Sequence, residues 1–297
     1  MRRLWVVSVL MALAAAVLTA GLQAAEKATV KDEEIQKITA AMPDKAYAKP
    51  AKPRQLLIFT LTKGFPHSSV PVAAKAFEIM GEKTGAWTSV TSDDVQMFAA
   101  DKLKDFDAVM MDNTTGTLFT DEALKKSLLD FVKDGKGISG CHAATDCFYD
   151  WKEYGDMMGG YFKGHPFGHI SVKLDDPESP INAMFGGNGF EIRDEIYTFR
   201  EPYSREKLRI LLSVDWEHAN IGKGNRDDND YALSWIREYG KGRVFYCAFG
   251  HEHAIFWNKP ILQHYLAGIQ YAMGDLKADA TPSAKLHLAP ARGPELK

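Results

Sequence analysis

The feature that most constrains this chain is a repeated alternation between short runs that are apolar on both faces and stretches with helical spacing. Gln55 to Thr62 (QLLIFTLT), Ala86 to Val90, Phe106 to Met111, Gly137 to Cys141 and Gly242 to Phe249 are β-prone. Between them, Ser69 to Lys83 carries Val72, Ala76, Ile79 and Met80 one helical turn apart, and Asp121 to Lys133 puts Leu124, Leu128, Leu129 and Val132 on one face. Further helices are expected near Val95 to Leu103 and from Ile261 to Met273. A strand without a polar face must be covered on both sides, which a parallel sheet between two helical layers achieves. The expected fold class is therefore α/β, a flavodoxin-like, doubly wound, mostly parallel sheet. From Gly160 the pattern changes to Gly-rich turns with β-prone runs at His169 to Leu174, Phe190 to Phe199, Leu208 to Val214 and Tyr231 to Ile236, which predicts an antiparallel β-rich insertion in the same domain.

The flanks read differently. Arg2 and Arg3 precede an apolar stretch ending at Leu22, and Ala24-Ala25 then gives way to charge at Glu26, so residues 1–25 are expected to be a secretory signal peptide, the alternative being an uncleaved membrane anchor. Cleavage makes the protein periplasmic or secreted, with no stable membrane insertion. Residues 26–54, a short helix around Glu33 to Met42 followed by Ala-Lys-Pro-Ala-Lys-Pro, read as a linker, and 277–297, without periodicity, as a flexible tail. The domain spans 55–276.

Composition narrows the partners. Lys+Arg 36 against Asp+Glu 39 provides no basic footprint, so nucleic acid is not an expected partner. Three cysteines, Cys141, Cys147 and Cys247, with no CxxC among them, suit neither a disulfide scaffold nor a zinc ribbon and read as small buried hydrophobes. Without a GxGxxG after the first strand or a GxxxxGK[ST], no nucleotide cofactor is expected.

In an open α/β sheet ligands bind outside the carboxyl ends of the strands, so those ends are where chemistry is sought. His67 follows the first strand, Asn113 and Thr114 the third, His142 the fourth and His251 the last. Imidazoles from separate loops suit a divalent metal such as zinc with an open position for water or substrate. The alternative is a metal-free site in which one histidine is a general base and the others bind hydroxyls. His165 and His169 open the insertion and could cover the same rim, with His169 expected instead on a strand face. Asp194 interrupts the apolar face of Phe190, Ile192 and Ile196, where a carboxylate must be paired, hydrogen-bonded or bound to a ligand. Asp146 follows the His142 turn as an orienter, and Tyr149, in an aromatic cluster, and Trp235 offer flat faces that suit a sugar ring.

Gly137 to Gly140 followed by a small-residue turn has the local form of a nucleophile elbow. The order of motifs resembles the trehalose-utilisation (ThuA-like) family, of the class I glutamine amidotransferase-like superfamily. The matching stretches are KGFPHSS (63–69), DNTTG (112–116), GISGCHAATDCFYDWKEYGDMMGGYFKGHP (137–166), DEIY (194–197) and WIREYGKGRVFYCAFGHEH (235–253). Against the superfamily's Gly-Ile-Cys elbow, Gly140-Cys141-His142 puts His142 at the nucleophile position and turns Cys141 into the strand packing, so glutamine amidotransferase chemistry is not expected. His251 falls near the superfamily's catalytic histidine. The resemblance implies an exported hydrolase or lyase that processes disaccharides or their 3-keto derivatives. A ketone at C3 acidifies the neighbouring C–H, so a base with a metal or imidazolium beside the oxygen could eliminate the C1 substituent. His142 and His251 then share the base and electrophile roles with Asp194 or Glu195 as second acid/base, and Asn113, Thr114, Asp146, Tyr149, His165 and Trp235 contact the sugar. The other reading is a non-catalytic sugar-binding module on the same fold.

Overall fold

A computed structural model describes residues 29–218 and 226–296. The expected signal peptide lies outside the described residues, and no helix among those is long and apolar enough to cross a membrane. After an N-terminal helix α1 (Asp32–Ala41), the chain runs β1 (Gln55–Phe59), α2 (Val70–Thr84), β2 (Thr88–Ser92), α3 (Ala100–Leu103), β3 (Ala108–Asp112), β4 (Thr115–Gly116), α4 (Glu122–Lys133) and β5 (Gly137–Cys141). It continues through β6 (Asp146–Cys147), α5 (Lys152–Met158), β7 (Tyr161–Gly164), β8 (Phe167–Leu174), β9 (Phe190–Glu195), β10 (Thr198–Arg200), β11 (Arg209–Val214), β12 (Ala232–Tyr239), β13 (Gly242–Cys247) and α6 (Lys259–Ala272).

The strands with no polar face lie at the centre. Every residue of β3 and β5 is buried, and they pair in parallel with each other, with β1 and with β13. The nine-stranded sheet has the order β2-β1-β3-β5-β13-β12-β11-β8-β9; its first five strands are parallel, and the antiparallel insertion extends it from β12 outward. Helix α4 starts where Asp121 accepts from the Ala123 and Leu124 amides, as an N-cap should. It buries Leu124, Leu128, Phe131 and Val132, leaving Leu129 half-buried.

The short helix expected near Glu33 to Met42 is present as α1, and both flanks are tied to the body of the domain. Residues 26–54 are not a free linker where described: α1 buries Ile38, and Gln270 of α6 accepts from the Tyr47 and Ala48 amides at 2.8 and 3.1 Å. Arg54 forks onto Asp275. Nor does the tail hang free, since Ala291 pairs with Leu174, while Arg292 and the Gly293 amide both reach buried Asp215. Apart from Ile38, these attachments are backbone and polar bonds, which leave no hydrophobic period in the sequence to read.

His264 of α6, outside any sequence constellation, is fully buried, with Nδ1 donating to the Ile181 carbonyl at 2.9 Å and Nε2 2.8 Å from the Ser234 hydroxyl. Burial pushes its pKa down to about 4. Between that value and the unfolded value of about 6.5, the unfolded chain takes up a proton that the folded state refuses. Stability contributed by the neutral ring is therefore present above pH ~6.5 and lost on acidification, by about 3 kcal/mol at most, at roughly 1.4 kcal/mol per pH unit. Denaturant melts from pH 7 to 4 should show this loss, and His264→Gln should flatten it.

Candidate metal centre

Three loops at the carboxyl ends of parallel strands and the end of one antiparallel strand build the site. After β1, the Lys63 and Gly64 amides donate to the Thr115 carbonyl at 2.8 and 3.1 Å, seating the loop that carries His67. The turn needs Gly116, at φ +78°, because a Cβ there would stand 2.8 Å from the Gly64 nitrogen. After β5, His142 adopts φ +43°, the left-handed backbone of an elbow, a conformation that costs about 1–3 kcal/mol and persists only where its surroundings hold it. After β13 comes His251, and the end of the edge strand β9 returns over the rim with Glu195.

His67, His142, His251 and Glu195 each offer one donor atom, and these four atoms lie within 4.8 Å of one another. Glu195 Oε2 is 3.3 Å from His142 Nε2 and 3.2 Å from His251 Nδ1. The three imidazoles stand edge to face, with centroids 4.9, 5.3 and 5.5 Å apart. His142 Nδ1 donates to the Ala248 carbonyl at 2.6 Å, so in the neutral ring Nε2 keeps its lone pair; it is buried without an aligned hydrogen bond. Burial, reinforced by the neighbouring imidazoles, drives His67 down to about 3. Burial alone would raise the Glu195 pKa, but the close approach of His142 and His251 outweighs it and holds the carboxyl well below the usual range. His251, hydrogen-bonded to that carboxylate, is shifted upward. A neutral His67 and an ionised Glu195 are states a divalent cation selects, and its binding would displace the proton that Glu195 favours on His251. Bonds of 2.0–2.2 Å in a tetrahedral set put donor atoms about 3.3–3.6 Å apart, a spacing that Glu195 already keeps from His142 and His251, while the widest pair would close by about 1 Å.

The other sequence candidates separate cleanly. Asp194 is fully buried and accepts from the Gly250 and Glu252 amides at 2.7 and 2.9 Å, so it holds the His251 loop from beneath the site. Trp235 is core, fully buried, its indole donating to the Met158 carbonyl. Asn113, at φ +50°, is a buried turn residue bonded to Asp112, and the Thr114 hydroxyl lies 3.5 Å from Cys147 Sγ beneath the rim, so neither lines the site. Asp146, Tyr149 and His165 do border it. The Tyr149 hydroxyl donates to Asp146, whose pKa burial raises, and His165 Nδ1 is 3.0 Å from the outer oxygen of Glu195. His169 stays on an exposed strand face, 3.5 Å from Glu191.

The elbow side chain is not open to solvent: His142 is fully buried, roofed by Tyr197 at 4.2 Å between ring centroids. Tyr197 was legible only as the last letter of DEIY. Glu195 was read as an acid/base; strand alternation placed it opposite Asp194 but could not show it reaching three histidines. Cys141 packs downward, accepting from Tyr265 at 3.2 Å, and burial pushes its thiol well above the ordinary range.

The loops are cross-tied beside the donors. Ser69 donates to the Gly250 carbonyl at 2.7 Å, and His253 links Ser68 (3.1 Å) to Glu34 of α1 (2.7 Å).

A family model described as ThuA, trehalose utilisation, matches residues 55–272. Among solved structures, a ThuA-like protein from Bacteroides uniformis is 20% identical, covering 80% of this chain and 99% of its own with a TM-score of 0.61. One from Parabacteroides merdae is 17% identical, covering 77% and 93% with a TM-score of 0.55. At these identities the likeness is one of fold. No curated protein matches the chain.

Glu34 lies upstream of the matched region yet touches a loop that carries a donor. Glu34→Ala should raise hydrogen exchange in both 64–69 and 248–257, whereas Glu34→Gln, which can still accept from His253, should raise it less. Faster exchange confined to α1 would reduce that helix to a packing element.

Proposed function

The chain belongs to the ThuA trehalose-utilisation family, and from that premise we propose that it is a carbohydrate-processing enzyme in which His67, His142, His251 and Glu195 hold a divalent cation such as zinc. Family membership carries the carbohydrate-related role. The observation that supports the metal is the set of four donor atoms within 4.8 Å, with the His142 tautomer fixed from behind by the Ala248 carbonyl.

The substrate in this reading is a disaccharide carrying a ketone at C3. The bound cation supplies a Lewis acid for the substrate oxygen. With the histidines occupied as ligands, proton transfer passes to the residues at the border. Asp146, with its pKa raised by burial and its geometry set by Tyr149, takes the proton from C2. As that C–H bond breaks, charge moves to the C3 oxygen; the C1–O bond then breaks, its electron pair leaving on the glycosidic oxygen, which takes a proton from His165. The fully buried, high-pKa thiol of Cys141 is not a nucleophile in this scheme. Export by the leader over residues 1–25 would place the reaction in the periplasm or outside the cell, and N-terminal sequencing from the native host should return a residue near Glu26.

Elemental analysis of the purified protein should find one divalent metal per chain. His142→Asn, chosen because asparagine tolerates the left-handed backbone, should lose the metal and turnover of 3-keto-trehalose. Cys141→Ser should retain both and cost about 1–2 kcal/mol, since Tyr265 can still donate to the new oxygen. Turnover unchanged in a metal-stripped sample would overturn the metal, and sugar binding without turnover would make the protein a binding module.

A further inference from the structure

The large apolar side chains exposed among the described residues are Tyr47, Phe65, Val90 and Tyr149, and two of these, Phe65 and Tyr149, border the histidine cluster. Phe65 is the most open at 61% exposure, and its ring meets His67 edge to face at 4.8 Å. A phenylalanine left this open in water forgoes most of the gain from burying its ring.

Its placement is built. The Thr115 hydroxyl donates to the Phe65 carbonyl at 2.9 Å, Gly64 bonds back to Thr115, and Pro66 confines Phe65 to extended backbone. Thr115 pairs directly with Asp146, so the β4 residue that holds the Phe65 carbonyl adjoins the β6 residue bonded to Tyr149. The Arg200 guanidinium lies 4.5 Å over the Tyr149 ring, so Tyr149 already has a cation against it, and Phe65 is the more open of the two rings. An apolar plate beside a few fixed polar groups is how sites bind amphipathic small molecules. A pyranose ring has that character, with C–H bonds on its face and hydroxyls around its edge. One aromatic ring falls far short of the roughly 800 Å² per partner that a protein interface buries.

We infer that Phe65 is a stacking platform for a pyranose ring of the substrate, holding its C–H face while the edge hydroxyls reach Asp146 and His165. The inference rests on the carbohydrate reading above and adds a binding residue to it.

The test is titration of the full chain with trehalose and 3-keto-trehalose by calorimetry, with metal content and melting followed in parallel, for wild type, Phe65→Leu and Phe65→Tyr. Phe65→Leu should weaken sugar binding about 3- to 10-fold, the scale of an aromatic contact beyond its area, with metal content and melting unchanged. Phe65→Tyr, which keeps the ring face, should bind like wild type. Sugar binding by Phe65→Leu equal to wild type would overturn the platform alone, as would lost metal with unchanged sugar affinity, or a changed oligomeric state with unchanged affinity. A wild type that binds neither sugar would overturn the carbohydrate reading itself.

Discussion

The site depends on one buried carboxylate that performs no chemistry in the proposed reaction. Asp194 sits near the end of the edge strand β9, four positions along the sheet from β13, and takes the amides of Gly250 and Glu252 on its two oxygens. Those bonds tie the far end of the antiparallel extension to the loop after the last parallel strand. Burial raises the Asp194 pKa; the charge of His142 and the two amides act against it. Because the side chain of Asp194 points one way, that of Glu195 points the other, into the three histidines. The alternation of a single strand thus divides two adjacent acids into a brace and a candidate ligand.

The elbow shows how a scaffold can keep its geometry and change its reagent. The left-handed residue after β5 is histidine, and the cysteine before it faces the core with a suppressed thiolate. What rises above the sheet is therefore a nitrogen donor whose orientation is set from behind by a main-chain carbonyl, the arrangement that favours ligation over nucleophilic attack. Burial among other imidazoles disfavours protonation of His67 and so keeps its lone pairs, while the ionised Glu195 supplies the one negative charge of the set.

Around this centre the segments flanking the family domain act as straps. Glu34 on the N-terminal helix reaches the His253 loop, and the C-terminal segment closes over Asp215 and Leu174. Both attach through hydrogen bonds and ion pairs, and Ile38 and Met42 of the N-terminal flank are buried in the apolar core as well.

The sequence by itself determined the parallel half of the sheet, the antiparallel extension, and the placing of His67, His142 and His251 at strand ends, because burial on both faces and helical spacing are local properties that a run of side chains records directly. Register at the elbow was equally local, since Gly140, Cys141 and His142 are consecutive. Tertiary structure alone decided that Glu195 joins the histidines, that Asp194 braces a loop, that Trp235, Asn113 and Thr114 are packed away from the rim, and that the C-terminal segment is tied down. Each of those outcomes depends on which strand lies opposite which and on how far the sheet curls. A contact between β9 and the loop after β13 joins residues 56 positions apart in the chain, and no periodicity within either segment encodes the other.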